Sequence, residues 1–451
     1  GGPVPAVAAP AATRTGGAGA FAGTAALLRF SLRRDRVRVP VWLAAFAVLN
    51  VASLASFQRN YPTAADRRTV AETMRTPAGL AMTGPRRYLD VAEYTVDVMH
   101  AHQMIGYLAL TAGLMSVLLV VRHTRAEEET GRAELLRASV VGRHAHLAAA
   151  LLWAVAANVA LAAVLAAGLL TAGVPGLTGS GALLLGAAVG ATGIVFAATA
   201  AVTVQLTEHS RAAAGTALAV VGAAYALRAV GDVSAEALSW LSPIGWAQRT
   251  YPFVADRWWP LLPAAAVAAS LAACGFLLST RRDVGAGLRP PRTGRATGSG
   301  ALTTPFGFAV RLHRGLLVGL AAAGTALAVM YGSILGEVER MVAEVAALRE
   351  LVSQVGGDTV VDSFASLILL VVSSFTAVYV VLATLRARAE ENAGRAEPVL
   401  ATGLSRDRWV ASHVAVALLG GAVVHVVSGL AFAATGAASV GDAAMFPRLV
   451  G

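Results

Sequence analysis

The sequence predicts an all-α polytopic membrane protein made of two tandem repeats, the second of them incomplete. Three observations lead to this prediction. Hydrophobic residues make up 56% of the 451 residues, and charged residues only 14%. The apolar residues gather in blocks of about 20, which is the length that a helix needs to cross the hydrocarbon core. A charged segment that follows the second block recurs almost unchanged after the eighth.

Nine apolar blocks are candidate membrane spans. They must be helical, because in lipid only a helix satisfies its own backbone hydrogen bonds. The alternating ten-residue segments of a transmembrane β-barrel do not occur in the sequence. The blocks cover residues 40–57, 103–121, 147–172, 181–205, 212–230, 260–278, 315–335, 363–385 and 409–435.

The recurring segment is Arg125-Ala-Glu-Glu-Glu-Thr-Gly-Arg-Ala-Glu134, matched by Arg388-Ala-Glu-Glu-Asn-Ala-Gly-Arg-Ala-Glu397. Extended to Arg143 and Arg406, the copies share ten identities in 19 positions, and seven of these are not alanine. About two identities are expected by chance in so biased a composition. The chain is therefore predicted to repeat one membrane unit. The predicted parts are a disordered lead at 1–20, a first repeat at 21–285, a cytosolic linker at 286–304 and a second repeat at 305–451.

Arginine sets the predicted orientation. All 36 basic residues are arginine. With the N-terminus inside, the cytoplasmic segments hold 24 arginines and 11 acids, whereas the external segments hold 11 arginines and 15 acids. This is the positive-inside pattern, which predicts a cytoplasmic N-terminus. The positive charge is thus explained by topology and anionic lipid, and no nucleic-acid partner is predicted.

Several segments outside the blocks have a predicted structure or location. The basic segment Arg29–Arg38 is either a short amphipathic helix on the inner surface or a plain charge cluster that fixes topology. Arg311 and Arg314 stand in the same place before the seventh block. The external segment 58–102 is long enough for a small cap. The tryptophan-rich stretch 240–259 predicts short re-entrant or surface helices at the interface. Arg228, near the end of the fifth block, is expected to snorkel outward.

The duplicated segment supplies the candidate functional residues. On a short helix, residues three and four apart share a face. A solvated loop held by intrahelical ion pairs is the plain alternative, but such loops tolerate drift. The coincidence of seven non-alanine positions favours a docking surface for one soluble partner, presented twice. The residues are Glu127, Glu128, Gly131, Arg132 and Glu134 in the first copy and Glu390, Glu391, Gly394, Arg395 and Glu397 in the second.

The order of these features resembles the permease unit of ABC-2-type transporters. The resemblance rests on the Glu-rich loop with Gly-Arg-x-Glu, on Ser-Pro-x-Gly-Trp at 242–246 and on Arg-Arg-Asp at 281–283. The fused pair resembles the two-repeat actinobacterial permeases described as polyketide-antibiotic or multidrug exporters. The resemblance implies six-helix units in the bacterial plasma membrane that export hydrophobic or amphipathic small molecules. It also implies that each loop is a coupling helix, seated in a groove of an ATPase subunit.

The ATPase itself is expected on a separate subunit. A Walker-type phosphate-binding loop needs a lysine, and the chain contains none. The resemblance therefore implies two copies of a cytosolic ABC ATPase, which bind ATP and Mg²⁺. For this chain the sequence predicts no catalytic residue, no cofactor and no enzyme activity of its own.

The main alternative is a secondary, ion-coupled multidrug transporter without an ATPase. Such coupling needs an intramembrane carboxylate or histidine relay, and none of the 26 acids falls inside a predicted span. His425 does lie mid-span, as a possible pathway contact or as a neutral, hydrogen-bonded helix contact. His100-x-His102 and His144-x-His146 lack a nearby third ligand, so no metal site is predicted. A membrane enzyme is disfavoured because no catalytic motif occurs.

The repeat offset predicts that the second copy is incomplete. It places Gly451 on Ala188, inside the fourth span of the first copy. We expect a native protein about 100 residues longer, with twelve spans and both ends cytosolic.

Overall fold

The computed structural model describes residues 19–131, 141–283, 285–289, 297–333, 335–336 and 360–450. Every regular element within these ranges is helical, which confirms the predicted all-α fold. Short 3₁₀ turns lie at Arg86–Tyr88 and Gly300–Thr303. The α-helices are α1 (Thr24–Arg34), α2 (Arg38–Asn60), α3 (Ala64–Met74), α4 (Pro77–Thr83), α5 (Val96–Arg122), α6 (Arg125–Glu129), α7 (Ala145–Thr171), α8 (Gly179–Leu206), α9 (Ser210–Val233), α10 (Glu236–Ser239), α11 (Pro243–Gln248), α12 (Leu261–Ser279), α13 (Pro305–Gly332), α14 (Val360–Asn392), α15 (Ala396–Leu400), α16 (Arg406–Val440) and α17 (Met445–Val450).

Nine helices in the described part of the chain are long and apolar enough to cross a membrane. Each of the nine predicted blocks coincides with one of them, so the prediction of a multi-pass membrane protein is confirmed. Several helices extend past their apolar block, because helix-start signals lie outside it. For example, α13 begins at Pro305, where the Thr304 side chain accepts a hydrogen bond from the N–H of Gly307.

The chain forms two compact units, Gly1–Ala71 with Thr83–Arg292, and Glu72–Met82 with Thr293–Gly451. Helix α8 is the centre of the first unit and packs against α5, α7 and α12. Its glycines allow this close approach. A Cβ on Gly186 would lie 2.3 Å from the Ala162 carbonyl oxygen, and one on Gly190 would lie 2.8 Å from that of Asn158. These contacts are typical of small-residue packing between membrane helices.

Buried polar pairs also join helices of the first unit. His100 Nε2 lies 2.9 Å from Asn50 Oδ1, which links α5 to α2. The Asn158 side chain donates to Ser116 Oγ at 2.8 Å and so links α7 to α5. Such hydrogen bonds contribute about 1 kcal/mol each between helices in lipid. His100 is therefore a helix–helix contact.

The second unit is built on α13, α14 and α16. Its larger core includes Val372, Phe432 and Leu335, all fully buried. Close helix approach again depends on glycine, since a Cβ on Gly332 would lie 2.7 Å from the Phe432 carbonyl oxygen. Between α14 and α16, the Tyr379 hydroxyl donates to the Val416 carbonyl oxygen at 3.3 Å.

The predictions for the remaining segments have mixed outcomes. For the basic segment Arg29–Arg38, the structure has a short helix, α1, that ends at Arg34 and packs Leu27 on Ala145 and Ala149, whereas Arg38 begins α2. Arg311 and Arg314 instead belong to the continuous helix α13. The external segment 58–102 contains α3, α4 and a 3₁₀ turn. The tryptophan-rich stretch 240–259 contains the short helix α11 and directly follows the short helix α10.

The prediction that Arg228 snorkels outward is wrong. Its side chain is fully buried, with the guanidinium carbon 4.3 Å from the centroid of the Tyr225 ring. Its Nη1 lies 3.5 Å from Asp232 Oδ2. Tyr225 and Asp232 are three residues before and four residues after Arg228 on one helix face, so both partners are local, and Asp232 carries the opposite charge.

Candidate functional site

The first copy of the duplicated segment, residues 125–134, is called loop one, and the second, residues 388–397, is called loop two. In loop one, helix α6 ends at Glu129, and Gly131 takes the left-handed conformation with φ 71°. The N–H of Gly131 donates to the Glu128 carbonyl oxygen at 3.1 Å. This turn ends the helix.

Loop two ends its helix with the same turn. Gly394 has φ 67°, and its N–H donates to the Glu391 carbonyl oxygen at 2.9 Å. The donor and acceptor occupy the same repeat positions as in loop one. A Cβ on either glycine would meet no atom within 4 Å. Glycine is therefore required at both positions by the backbone conformation and not by lack of space.

The acids of loop one bind neighbouring parts of their own chain. Glu127, which is 4% exposed, forms an ion pair with Arg34 of helix α1. Glu128 receives two hydrogen bonds from Arg282, at 2.7 and 2.9 Å, in the bidentate arrangement that makes arginine–carboxylate pairs strong. Arg125 adds a third at 2.6 Å. Both carboxylates therefore face inward.

Arg125 of loop one and Arg282, which follows α12, join α6 to two other segments. The fully buried Arg125 donates from Nε to the Val204 carbonyl oxygen at 3.1 Å and from Nη2 to that of Ala286 at 3.0 Å. Arg282 donates from Nε to Gln205 Oε1 at 2.5 Å. Loop one is thus tied to the end of α8 and to the segment that follows α12.

The last acid of α6 is arranged differently. Glu129 is exposed, yet its carboxylate accepts hydrogen bonds from the backbone N–H and the hydroxyl of Ser210 at the start of α9. A carboxylate at this position satisfies an N–H that has no partner inside the helix. Glu129 therefore joins α6 to α9 while remaining accessible to solvent.

Loop two has a smaller, local set of ion pairs. Glu390 is buried and lies between Arg386, whose Nε is 2.8 Å from Oε1, and Arg395, whose Nε is 2.6 Å from Oε2. Its neighbours Arg388 and Glu391 are exposed. Their counterparts in loop one, Arg125 and Glu128, have inward-facing side chains that are 0% and 6% exposed.

The structure thus brings most of the predicted residues into two equivalent turns. Glu127, Glu128 and Glu390 face the protein, so a docking surface would have to consist of their exposed neighbours. Glu129 and Thr130 are exposed in loop one, as are Glu391 and Glu397 in loop two. Arg132 and Glu134 lie outside the described residues. The assignment of the loops to coupling stays a prediction.

Sequence reasoning missed the buried Asp35, which lies between α1 and α2. Its carboxylate accepts hydrogen bonds from His123 Nε2, from Arg122 Nε at 3.2 Å and from Trp153 Nε1 at 3.2 Å. Burial alone would raise the pKa of Asp35, but the hydrogen bonds of His123 and Trp153 and the charge of Arg122 hold it below its ordinary value. The available signal was a single acid within Arg33-Arg34-Asp35-Arg36-Val37-Arg38.

The histidines singled out in the sequence lie at contacts with neighbouring segments of the chain. His425 is half-buried in α16, with Nδ1 3.5 Å from the Thr376 hydroxyl of α14, and its possible role in the pathway stays a prediction. His102 lies between the hydroxyls of Thr83 and Tyr94 at 3.0 and 2.8 Å. No group of three potential metal ligands occurs among the described residues.

A further pair of buried histidines was not predicted. His313 Nε2 lies 2.9 Å from His413 Nδ1, and the pair gave no local sequence signal because its members are 100 residues apart.

Comparisons with known proteins agree with this architecture. The family model "Multidrug efflux system permease Rv1217c, C-terminal domain" matches residues 25–278 and 302–451. The Multidrug efflux system permease protein Rv1217c of Mycobacterium tuberculosis (strain ATCC 25618 / H37Rv) is 39% identical over 439 residues, which cover 96% of this chain and 78% of that protein. The match includes both loops and all nine apolar helices. This chain therefore belongs to the Rv1217c family of multidrug efflux system permeases, which are of the ABC-2 type.

Proposed function

We propose that this chain is the membrane subunit of an ATP-driven exporter of hydrophobic or amphipathic small molecules. In this proposal, loop one and loop two each receive one copy of a cytosolic ABC ATPase, and the N-terminus lies on the cytoplasmic side of the bacterial plasma membrane. The observation that carries the proposal is the equivalent glycine turn that ends both loop helices. Two identical turns on one chain fit two identical partner subunits.

The absence of lysine from the sequence supports a separate ATPase, because a Walker-type loop cannot be formed without one. ATP and Mg²⁺ would accordingly be bound by the partner. The relative is described as the permease of an efflux system, a description that implies further components.

The contacts of loop one suggest how movement would be transmitted. Glu128 is joined through Arg282 to Gln205 at the end of α8, and Glu129 is joined to Ser210 at the start of α9. A displacement of α6 by an ATPase would therefore act directly on α8, which is the most completely buried span of the first unit. Exposed Glu129 and Thr130 are the residues that would contact the partner.

Everted membrane vesicles test the proposal against the ion-coupled alternative. The vesicles should contain this chain together with a candidate ABC ATPase subunit from the same organism, and the readout is uptake of a fluorescent apolar dye. We expect uptake on addition of ATP, insensitivity to a protonophore, and co-purification of the ATPase with the chain. Vesicles that hold the ATPase but lack this chain are the control. Uptake driven by a proton gradient without ATP would contradict the proposal.

A further inference from the structure

A polar cavity lies at the end of the first unit opposite loop one. Its volume is about 580 Å³, within the range of small-molecule sites. It is lined by residues that precede α5, by the end of α9 and α10, and by the tryptophan-rich stretch. The 27-residue helix α5 separates this end from loop one, a distance of about 40 Å at 1.5 Å per residue.

Acidic side chains in the cavity wall are already paired. Asp232 Oδ1 lies 3.1 Å from Arg249 Nη2, and Glu236 Oε1 lies 3.4 Å from Arg249 Nε. Asp90 lies 3.8 Å from Arg86. Asp232 Oδ2 also lies 3.5 Å from Arg228 Nη1, so the three acids of the wall are balanced by Arg249, Arg228 and Arg86.

Two further arginines line the cavity without an acidic partner among the described residues. Both are arranged around one aromatic ring. The guanidinium carbon of Arg87 lies 5.3 Å from the centroid of Tyr251, and that of Arg257 lies 5.6 Å from it. The buried Arg249, 2% exposed, has a third nitrogen, Nη1, with no hydrogen-bond partner in the described part of the chain. The cavity is thus an electropositive site with donor capacity left unused.

The backbone that holds this site is strained and firmly hydrogen-bonded. Tyr251, Phe253 and Asp256 have positive φ values of 48°, 63° and 43°, and they are the three such non-glycine residues in the described chain. The Tyr251 carbonyl oxygen accepts from the N–H groups of Val254, Ala255 and Asp256 at 3.0–3.1 Å. Side chains in such conformations cost of order 1 kcal/mol each and are concentrated at ligand sites.

Tryptophans place the site at the depth of the lipid headgroups. Trp240, which lines the cavity, stacks on Trp259 with ring centroids 5.0 Å apart. Trp258 and Trp259 are about half exposed, at 47% and 50%. Exposed tryptophan of this kind is typical of the membrane–water interface. A ligand there would have a polar end in the cavity and an apolar end beside lipid.

From these contacts we propose that the cavity binds the phosphate group of an anionic amphipath, of the phospholipid headgroup class. Guanidinium groups match phosphate oxygens in geometry and charge. Arg87 and Arg257 supply the uncompensated charge, and Arg249 Nη1 supplies a preorganised donor. The Tyr251 ring and Val254 line the adjoining apolar wall. This site does not depend on whether ATP drives transport.

Equilibrium binding of dihexanoyl phosphatidylglycerol to the purified full chain tests this site. The double variant Arg87→Gln/Arg257→Gln should weaken binding about tenfold or more, since it removes two charge-assisted interactions. The matched control is Arg59→Gln/Arg68→Gln. It removes two exposed arginines from the same end of the bundle, neither of which lines the cavity. We expect the control to change binding by less than about twofold.

Competition identifies the source of the phosphate. Displacement by inorganic phosphate would indicate a free-phosphate site, and failure to displace would indicate recognition of the whole headgroup. Equal binding of zwitterionic dihexanoyl phosphatidylcholine, or wild-type binding by the double variant, would overturn the proposal. Thermal melting checks the fold of each variant. The single variant Arg87→Gln, at an exposed position, provides the same test if the double variant is unstable.

Discussion

Loop one and loop two have nearly the same sequence and the same closing turn, but they are held in place differently. In loop one, Glu128 is bound by Arg282, which lies 154 residues further along the chain. In loop two, Glu390 is bound by Arg386 and Arg395, which are four and five residues away. The backbone conformation thus follows the local sequence, whereas the environment of each side chain follows its tertiary neighbours.

The repeated residues have two roles: some set the backbone conformation of the loops, and others bind neighbouring side chains. The turn glycines are equivalent in both loops, because the left-handed conformation is a local requirement. Glu128 and Glu391 occupy one repeat position, yet one is clamped between two arginines and the other is exposed. We expect the effects of four substitutions, each with a matched comparison, to decrease from Glu128 through Arg125 and the turn glycines to Asp35.

Replacing Glu128 with Gln should have the largest effect. The change leaves Arg125 and Arg282 buried without a carboxylate, which costs about 3 kcal/mol of stability. We expect dye efflux to fall about tenfold at equal membrane levels of the protein. The matched control, Glu391→Gln, should retain efflux to within about twofold because its side chain is exposed. Equal losses in both variants would show that the contacts of loop one have no special importance.

Replacing Arg125 with Gln should have the next largest effect. The Val204 carbonyl oxygen would lose its guanidinium donor, and that of Ala286 would keep only the one from Arg282. The expected loss is about 2 kcal/mol of unfolding free energy, measured by thermal or denaturant unfolding in detergent. Arg388→Gln is the repeat-matched control and should change stability by less than about 0.5 kcal/mol. A comparable loss at Arg388 would mean that loop two is anchored as firmly as loop one.

The glycine substitutions should affect the two loops equally. Gly131→Ala and Gly394→Ala should each destabilise the protein by about 1 kcal/mol, because alanine is strained at positive φ. Asparagine tolerates this conformation better, so Gly131→Asn and Gly394→Asn should recover part of the loss. Unfolding curves of the four variants provide the measurement. No loss on Gly→Ala substitution would show that the turn does not require glycine.

Asp35→Asn should give the smallest effect and one that depends on pH. The pKa of Asp35 is held below its ordinary value in the folded protein. Its charge therefore stabilises the fold fully above the unfolded pKa of about 3.9, and this contribution is lost as pH falls through the folded pKa. The stability difference between wild type and variant should be largest at neutral pH and shrink below about pH 4. Melting temperatures from pH 7 to 3 measure it.

The exposed Asp407, in the first turn of α16, is the control for this substitution. Asp407→Asn should produce little change at any pH. A difference between wild type and Asp35→Asn that persists undiminished at low pH would show that the Asp35 side chain acts by its shape and not by its charge.

The sequence by itself determined the helical membrane fold, the places of the nine spans and the repetition of loop one in loop two. Hydrocarbon imposes helices on long apolar blocks, and positive φ imposes glycine at 131 and 394. These are local constraints, so they can be read from composition and spacing. The same locality explains the agreement between the short helices of 240–259 and the structure.

The tertiary structure alone decided which charged residues are buried. Asp35 and Glu128 stand among charged residues that look solvent-exposed in the sequence, and Arg228 was expected to reach outward from its span, yet each is enclosed by partners. Some of these partners are distant in the chain, as Trp153 is from Asp35. A buried charge is stable only when specific atoms surround it, and no sequence period records which helices will supply them.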